Sequence, residues 1–371
     1  MKLEVQGTEK LKPKVKALTQ EEIETYSRQI VLKDIGYEGQ LKLRNAKVCI
    51  IGQGGLGNLA SMQMASMGVG YLRIVDRDVV ERSNLHRQPL YTVEDLNYPK
   101  VEAAAKRLSR LNPDTEIEAL PLSVNDDTAE KLVEGVDVVV DGLDSIEARY
   151  AVNRACVKLG VPYVFGAVSE VFGNLSTIIP RETPCLQCFY PDFKDYMLPA
   201  CAVVGVHPSI IAVITSLQVS EAVRIIKGDS PLLAGALLYC DLRNLSFDKV
   251  KLAPQPNCPT CGVKASQIRP REQREPVEEL CGRSGKRTFV VTPRKELDLD
   301  WKAVDRALRK LKAKVKVKAK LGVTYTLSKV SVNLLKSGIM ILNGINTKEE
   351  ALSIYQKLLV DQLNINHREL W

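Results

Sequence analysis

Four cysteines stand in two close pairs, Cys185/Cys188 and Cys258/Cys261, each with the C-x-x-C spacing. Each pair can chelate a metal from one turn, and together they offer the four thiolates of a tetrahedral zinc site. Four protein ligands leave no open coordination position, so the pattern predicts a structural Zn²⁺ that joins two distant loops. Two separate redox sites are the weaker alternative, because the pairs share one chain without an export signal.

A second set of residues could bind a phosphate through backbone amides, and it contains the glycines Gly52, Gly54, Gly55 and Gly57. This stretch follows the apolar run 47–51, precedes a helical pattern, and lies 19 residues ahead of Asp76. Strand, glycine turn, helix, strand and acidic residue, in that order, open a Rossmann-type unit in which the acidic residue accepts hydrogen bonds from ribose. Asp76 as a simple turn residue at a strand end is the competing interpretation.

Polar and cationic residues crowd the segment after Asp76, among them Asn84 and Arg87, and Lys100 follows thirteen residues after Arg87. Hydride transfer has little use for several cations beside the phosphates. Nucleotidyl transfer, by contrast, builds negative charge on the α-phosphate and on the departing pyrophosphate. We therefore expect Arg87 and Lys100 to stabilise that charge and Asn84 to position a phosphate oxygen. Taken singly, each could be an ordinary surface residue.

The run Val138 to Asp144 places carboxylates at and just beyond the end of a buried strand. In an open α/β sheet, ligands bind at this edge. Asp144 could therefore hold the Mg²⁺ that bridges the phosphates of ATP. The alternative is that Asp144 caps the helix that follows.

The elements that must position these residues alternate between strand and helix patterns. Apolar runs at 117–122, 136–140 and 163–165 are separated by helical stretches such as 146–159. This alternation predicts an α/β fold, a Rossmann-like doubly wound and mostly parallel sheet covered on both faces. A capping-box pair, Thr19 and Glu22, predicts a helix over 19–33, and a long helix over 208–227 should end at Gly228.

The chain has 371 residues, which predicts two domains. We expect an N-terminal extension over 1–18, a nucleotide-binding domain with the zinc site over 19–262, a linker over 263–287 and a basic α+β domain over 288–371. From Lys286 onward there are 18 Lys and Arg against 8 Asp and Glu, a net of +10 in a chain whose total is +8. Lysines alternate with apolar residues along 312–320, which predicts a strand with one lysine face.

The composition is that of a soluble globular protein, with 45% hydrophobic and 26% charged residues. No apolar run approaches the ~20 residues of a membrane span, and the lysine-rich start lacks the apolar core of a secretory signal. We therefore expect a cytoplasmic protein that does not enter a membrane.

Several stretches, taken together and in order, resemble the MoeB/ThiF/HesA adenylyltransferases and the related ubiquitin-activating enzymes. They are Tyr26-Ser27-Arg28-Gln29-Ile30, the glycine stretch, Asp76 to Gln88, Pro99-Lys100-Val101, Asp141 to Asp144 and both cysteine pairs. The resemblance covers roughly residues 20–262, and the extra C-terminal part is similar to that of archaeal members. Ser145 stands where this family usually has Asn.

This resemblance implies an enzyme that uses ATP and Mg²⁺ to adenylylate the C-terminal glycine of a ubiquitin-like or sulfur-carrier protein ending in Gly-Gly. It implies a homodimer in which Arg28 contacts phosphates in the partner's site. It also implies that Asp76 binds ribose, that Asn84, Arg87 and Lys100 bind phosphates, and that Asp144 holds Mg²⁺.

A cysteine near the position of Cys201 accepts the acyl group in some family members, and a thiolate is a good nucleophile toward an acyl-adenylate. We therefore expect a thioester or acyl-disulfide on Cys201, with Cys281 as the second choice and a buried core cysteine as the bland alternative. Adenylylation itself should not need the basic C-terminal domain. We expect that domain to recruit a partner: the carrier, a conjugating enzyme, a sulfurtransferase or tRNA.

Two other functions remain open at this point. A nicotinamide-dependent oxidoreductase is compatible with the glycine stretch and Asp76, but it leaves the cations unexplained and lacks a clear acid or base for hydride chemistry. A non-catalytic scaffold of the same fold is disfavoured because every polar position with a proposed role is filled.

Overall fold

The computed structural model describes residues 15–197, 204–263, 275–283 and 286–371. An eight-stranded sheet organises the first part of the chain. Its strands are β1 Lys47–Ile51, β2 Tyr71–Val75, β3 Glu116–Leu120, β4 Val138–Asp141, β5 Tyr163–Ser169, β6 Phe172–Ile178, β7 Ala236–Asp241 and β8 Ser246–Lys251. Its α-helices are α1 Gln20–Thr25, α2 Ser27–Ile30, α3 Gly36–Asn45, α4 Gly55–Ser66, α5 Lys100–Leu111, α6 Asp126–Val133, α7 Ile146–Leu159, α8 Leu186–Phe189 and α9 Pro208–Lys227.

The strand order is β3-β2-β1-β4-β5-β6-β7-β8. The first five strands in that order are parallel, and β6, β7 and β8 continue the sheet with antiparallel pairing. The chain therefore leaves β1 on one side toward β2 and β3, and returns on the other side as β4. This switch point between β1 and β4 opens the crevice where doubly wound sheets bind ligands.

Apolar side chains cover both faces of this sheet. One face carries a core that includes Met64 of α4, Leu108 of α5 and Val219 of α9, and the other carries a core that includes Leu132 of α6 and Val152 of α7. The predicted doubly wound, mostly parallel α/β sheet is confirmed in this arrangement.

Helix α9 illustrates how local sequence sets the ends of an element. Pro208 occupies the first turn, where its missing amide costs nothing, and Gly228 ends the helix in the left-handed conformation, with φ +83°. We expected no apolar run of membrane-spanning length, but this helix has that length and composition, the one such helix among the described residues. Ile210, Ile214 and Val219 are buried, however, which is the behaviour of a core helix.

The C-terminal unit is a six-stranded antiparallel sheet of order β11-β12-β13-β14-β10-β9. The helices α10 and α11 bury their apolar faces against it through residues such as Val304, Leu308, Tyr355 and Leu358. Its elements are β9 Val277–Arg283, β10 Lys286–Val291, α10 Trp301–Lys310, β11 Lys314–Lys318, β12 Gly322–Leu327, β13 Val330–Leu335, β14 Met340–Asn343, α11 Lys348–Leu359 and α12 His367–Leu370.

Three local expectations differ from the structure. The predicted helix over 19–33 begins with its capping box but breaks at Tyr26, whose buried side chain packs against Gly68. Strand β9 lies inside the range predicted as a linker. The lysine strand is β11, where a register shift between Val315 and Val317 interrupts the strict alternation and leaves Val315 exposed.

Candidate functional site

The glycine loop between β1 and α4 is packed tightly against the loop that follows β4. Gly52 has φ +91°, and a Cβ there would lie 2.4 Å from the carbonyl oxygen of Gly142. A Cβ on Gly57 would lie 1.7 Å from the oxygen of Gly52. Glycine is therefore required at both positions, and the amides of the first turn of α4 face the switch-point crevice as an anion-binding helix end.

Asp76, at the end of β2, joins this loop to the next one. One carboxylate oxygen accepts the Gln53 amide at 2.8 Å and the other accepts the Asp78 amide at 2.6 Å. Its side chain is only 10% exposed. Burial raises the pKa of the Asp76 carboxyl, and the nearby Lys100 acts in the opposite direction. The carboxylate is thus fixed beside the glycine loop, at the position where a Rossmann-type site holds ribose.

Lys100 is brought to the same place by the start of α5. Its Nζ atom lies 3.0 Å from Asp78 Oδ2 and 4.0 Å from Asp76 Oδ2, and its side chain is 7% exposed. The Lys100 amide donates to the Asp78 carbonyl at 2.9 Å, which ties the helix start to the loop after β2. Sequence reasoning gave Asp78 no role, although the Asp-x-Asp spacing after β2 was the available signal.

Asn84 and Arg87 lie together in one short turn. Asn84 is buried, and its Oδ1 atom accepts a hydrogen bond from the Glu81 amide at 3.0 Å. This side-chain oxygen therefore caps the turn. Arg87 is partly exposed and donates to the Ser83 carbonyl at 2.6 Å. Just beyond it, the Tyr91 hydroxyl donates to the Gln53 carbonyl at 3.0 Å. The segment that carries Arg87 is therefore held against the glycine loop.

The two carboxylates at the end of β4 have different environments. Asp141 is fully buried and accepts hydrogen bonds from Arg149 Nε at 2.9 Å and from the Tyr163 hydroxyl at 2.8 Å. Asp144 is exposed, and the helix cap that was its alternative role belongs to Ser145, which accepts the Ala148 amide at 3.1 Å. Asp141 is thus structural, whereas Asp144 is a solvent-facing carboxylate at the switch-point edge, able to meet a hard cation.

Arg28 does not join these residues within its own chain. It is exposed on α2, and its neighbour Gln29 donates to the Met67 carbonyl at 3.0 Å, at the C-terminal end of α4. The glycine loop lies at the other end of this 12-residue helix, about 18 Å away at 1.5 Å per residue. A role at the phosphates would therefore require a second copy of the chain.

The four paired cysteines converge, as the sequence predicts. Their Sγ atoms all lie within 4.8 Å of one another, with Cys185 3.5 Å from Cys258 and Cys188 3.4 Å from Cys261. These four free thiols fit a tetrahedral soft-metal site in ligand type and number. The cluster lies where α8 meets the loop after β8, and it joins two segments with 69 residues between them.

The remaining cysteines divide into two groups. Cys201 lies outside the described residues, and Cys281 lies on β9 rather than in a linker. Cys49, Cys156 and Cys240 are buried. Burial raises the pKa of Cys49 to about 12 and that of Cys240 to about 11, so neither is a ready thiolate nucleophile.

Comparisons with known proteins agree with this geometry. Residues 26–260 match the model described as the ThiF family. The chain is 40% identical over 255 residues to a sulfur carrier protein adenylyltransferase of Thermus thermophilus, covering 67% of this chain and 94% of that protein. It is 37% identical over 242 residues to a SAMP-activating enzyme E1 of Haloferax volcanii, covering 65% of this chain and 89% of that protein.

A third relative extends into the C-terminal unit. The sulfur carrier protein ThiS adenylyltransferase of Bacillus subtilis is 32% identical over 338 residues, covering 90% of this chain and 98% of that protein. Among solved structures, E. coli MccB with ATP has a TM-score of 0.54 at 26% identity, covering 61% of this chain and 69% of that one. E. coli MccB with MccA-N7isoASN has a TM-score of 0.58 at 25% identity, covering 64% and 75%.

Proposed function

Because this chain belongs to the ThiF family, we propose that it is an adenylyltransferase that activates the C-terminal glycine of a ubiquitin-like or sulfur-carrier protein with ATP. The observation that carries the proposal is the convergence of the glycine loop, Asp76 and Lys100 at the switch point, with the Arg87 segment tied to the same loop. The relatives reported above are named as adenylyltransferases or activating enzymes, and this favours nucleotidyl transfer over nicotinamide chemistry.

In the proposed reaction, a carboxylate oxygen of the carrier's last glycine attacks the α-phosphorus of ATP. The bond to the β-phosphate oxygen breaks, so an acyl-adenylate forms and pyrophosphate leaves with that electron pair. Asp76 orients the ribose, while Lys100 and Arg87 oppose the negative charge that grows on the phosphate oxygens. Asn84 orders the turn that carries Arg87, as its bond with Glu81 supports.

Two metal ions belong to the proposal. Mg²⁺ would neutralise phosphate charge, and the exposed Asp144 carboxylate is the residue that would hold it. The zinc site would use Cys185, Cys188, Cys258 and Cys261, whose ligand set fits a structural Zn²⁺. Since all four cysteines are free thiols, the reducing cytoplasm is the compartment that suits them.

The decisive experiment measures exchange of labelled pyrophosphate into ATP. The chain should catalyse exchange with Mg²⁺ and a carrier that ends in Gly-Gly, and not with the same carrier lacking its last glycine. A panel of ubiquitin-like and sulfur-carrier proteins covers the unknown partner. Binding of NADH in place of ATP, with no exchange for any carrier, would contradict the proposal.

The homodimer makes a separate prediction about Arg28. Arg28→Ala and Lys100→Ala chains should each be inactive alone, yet coexpression should restore about a quarter of the activity, since random pairing leaves one intact site in half of the dimers. Different affinity tags would isolate the mixed dimer for assay. A mixed dimer as inactive as its parents would show that Arg28 does not act across a subunit interface.

A further inference from the structure

The C-terminal unit is hydrogen-bonded to the first turn of α5, the helix that begins at Lys100. The amides of Lys320 and Leu321, just before β12, donate to the two carboxylate oxygens of Glu102 at 2.9 and 2.7 Å. The Thr324 hydroxyl on β12 donates to the Asn97 carbonyl at 2.7 Å. These contacts bracket Lys100, so the C-terminal unit holds the segment that delivers this lysine to Asp76 and Asp78.

A second set of contacts reaches the loop that follows β3. The Ser337 hydroxyl donates to the Pro121 carbonyl at 2.6 Å, and the hydroxyls of Ser123 and Thr292 lie 3.2 Å apart. The carboxyl ends of parallel strands lie at one edge of the sheet, so this loop neighbours the end of β2. The C-terminal unit therefore borders the site on the side away from the glycine loop.

The third contact is an ion pair directly beside the ribose position. Arg77, the residue after Asp76, places Nη1 2.8 Å from Glu278 Oε2 on β9 and 3.3 Å from Ser123 Oγ. The side chains are 23% and 33% exposed, so the pair is partly shielded from solvent. One carboxylate of the C-terminal unit thus fixes the side chain next to Asp76.

Arg77 also experiences the negative electrostatic potential of two carboxylates of the site, Asp78 and Asp144. Burial lowers the pKa of Arg77, but Glu278, Asp78 and Asp144 outweigh it and raise the pKa above the usual value. A guanidinium released from Glu278 would therefore be drawn toward Asp78 and Asp144. The first is the partner of Lys100, and the second is the carboxylate assigned to Mg²⁺.

We propose that the C-terminal unit is a working part of the nucleotide site and that Glu278 is its positioning residue, holding Arg77 away from Asp144 and Asp78. This inference rests on the proposed function, because it assumes that ATP and Mg²⁺ occupy the crevice. It replaces the expectation that nucleotide chemistry is independent of this unit. The Arg77–Glu278 pair follows directly after Asp76 in the chain, so Glu278 should influence the binding of ATP and Mg²⁺.

The test compares Glu278→Gln with Glu279→Gln in the full chain. Glu279 is the matched control, because it is the next residue on β9 and pairs with Arg287 at 2.9 Å, within the C-terminal unit. Calorimetry should show ATP affinity about three- to five-fold weaker for Glu278→Gln at low Mg²⁺, the scale of a partly exposed ion pair. Added Mg²⁺ should reduce this loss of ATP affinity, because in the Glu278→Gln variant it would displace Arg77 from Asp144.

The same variant should raise KM for ATP in pyrophosphate exchange by a similar factor, leaving kcat and KM for the carrier within about two-fold. Glu278→Asp should recover most of the affinity, and Glu279→Gln should behave as the unaltered chain. Equal ATP affinity for both Gln variants at every Mg²⁺ concentration would overturn the inference. ATP binding without exchange in the unaltered chain would instead contradict the proposed function, leaving the binding comparison valid.

Discussion

Lys100→Ala should lower carrier-dependent pyrophosphate exchange by roughly 10²–10³-fold, the cost of removing one preorganised charge-stabilising group. Lys100 is almost fully buried and lies against Asp78 and Asp76 at 3.0 and 4.0 Å. In the proposed reaction, this cation is therefore already held in place before the phosphate charge develops. Its loss also removes a positive charge from beside two carboxylates, which should then repel the triphosphate more strongly.

Lys106→Ala is the matched control for this experiment. Lys106 lies on the same helix, α5, and is exposed to solvent. It should retain exchange within about two-fold, since an exposed surface charge contributes little. Thermal melting of both variants would separate a local loss of charge from loss of the fold. Exchange by a folded Lys100→Ala chain within three-fold of the unaltered rate would remove Lys100 from the proposed reaction.

Cys258→Ser should lower the melting temperature by on the order of 10 °C and reduce the bound zinc, because a structural metal contributes folding free energy directly. Cys258 is buried, and its sulfur lies 3.5 Å from that of Cys185. The cluster joins α8 to the loop after β8, so its loss frees both segments. A strong chelator should have the same effect on the unaltered chain.

Cys240→Ala provides the control, since Cys240 is also buried but lies outside the four-cysteine cluster. It should keep the full zinc content, measured by elemental analysis, and lose only the stability expected for a small cavity. Exchange by Cys258→Ser below its new melting temperature should continue, because a fully ligated zinc leaves no catalytic position. Zinc-free preparations that melt as the untreated chain does would rule out a structural metal.

The nucleotide-binding half of the fold could be predicted because its signals are local. Gly52 to Gly57 and Asp76 follow short apolar runs, and strand, turn and helix each depend on neighbouring residues. Strand β6 was missed, since Phe172–Ile178 contains Gly173, Asn174 and Ser176 and lacks a strong apolar pattern. Its residues have little intrinsic preference for a strand, and the strand is stabilised by its antiparallel pairing with β5 and β7.

The ion pairs of the site could not be predicted in the same way. Lys100 and Asp78 are 22 residues apart, and Arg77 and Glu278 lie in different units of the chain. Such contacts depend on how the sheets pack, and residue spacing does not contain that information. The cysteine cluster is the exception, because its C-x-x-C pairs restrict the geometry strongly enough to be recognised over 69 intervening residues.

The contacts of Glu102 with the C-terminal unit determine which substitutions at positions 320 and 321 would preserve them. Both of its partners are main-chain amides, so nineteen of the twenty amino acids at 320 or 321 would supply the same donor, and only proline would remove it. The backbone donor at 320 therefore survives almost any substitution there, whereas Leu321 is also restricted because its side chain packs against the core of the first sheet. Homologous interfaces of this kind will be recognised from the acidic residue on the helix and from the backbone path opposite it, rather than from the identity of the residues that it meets.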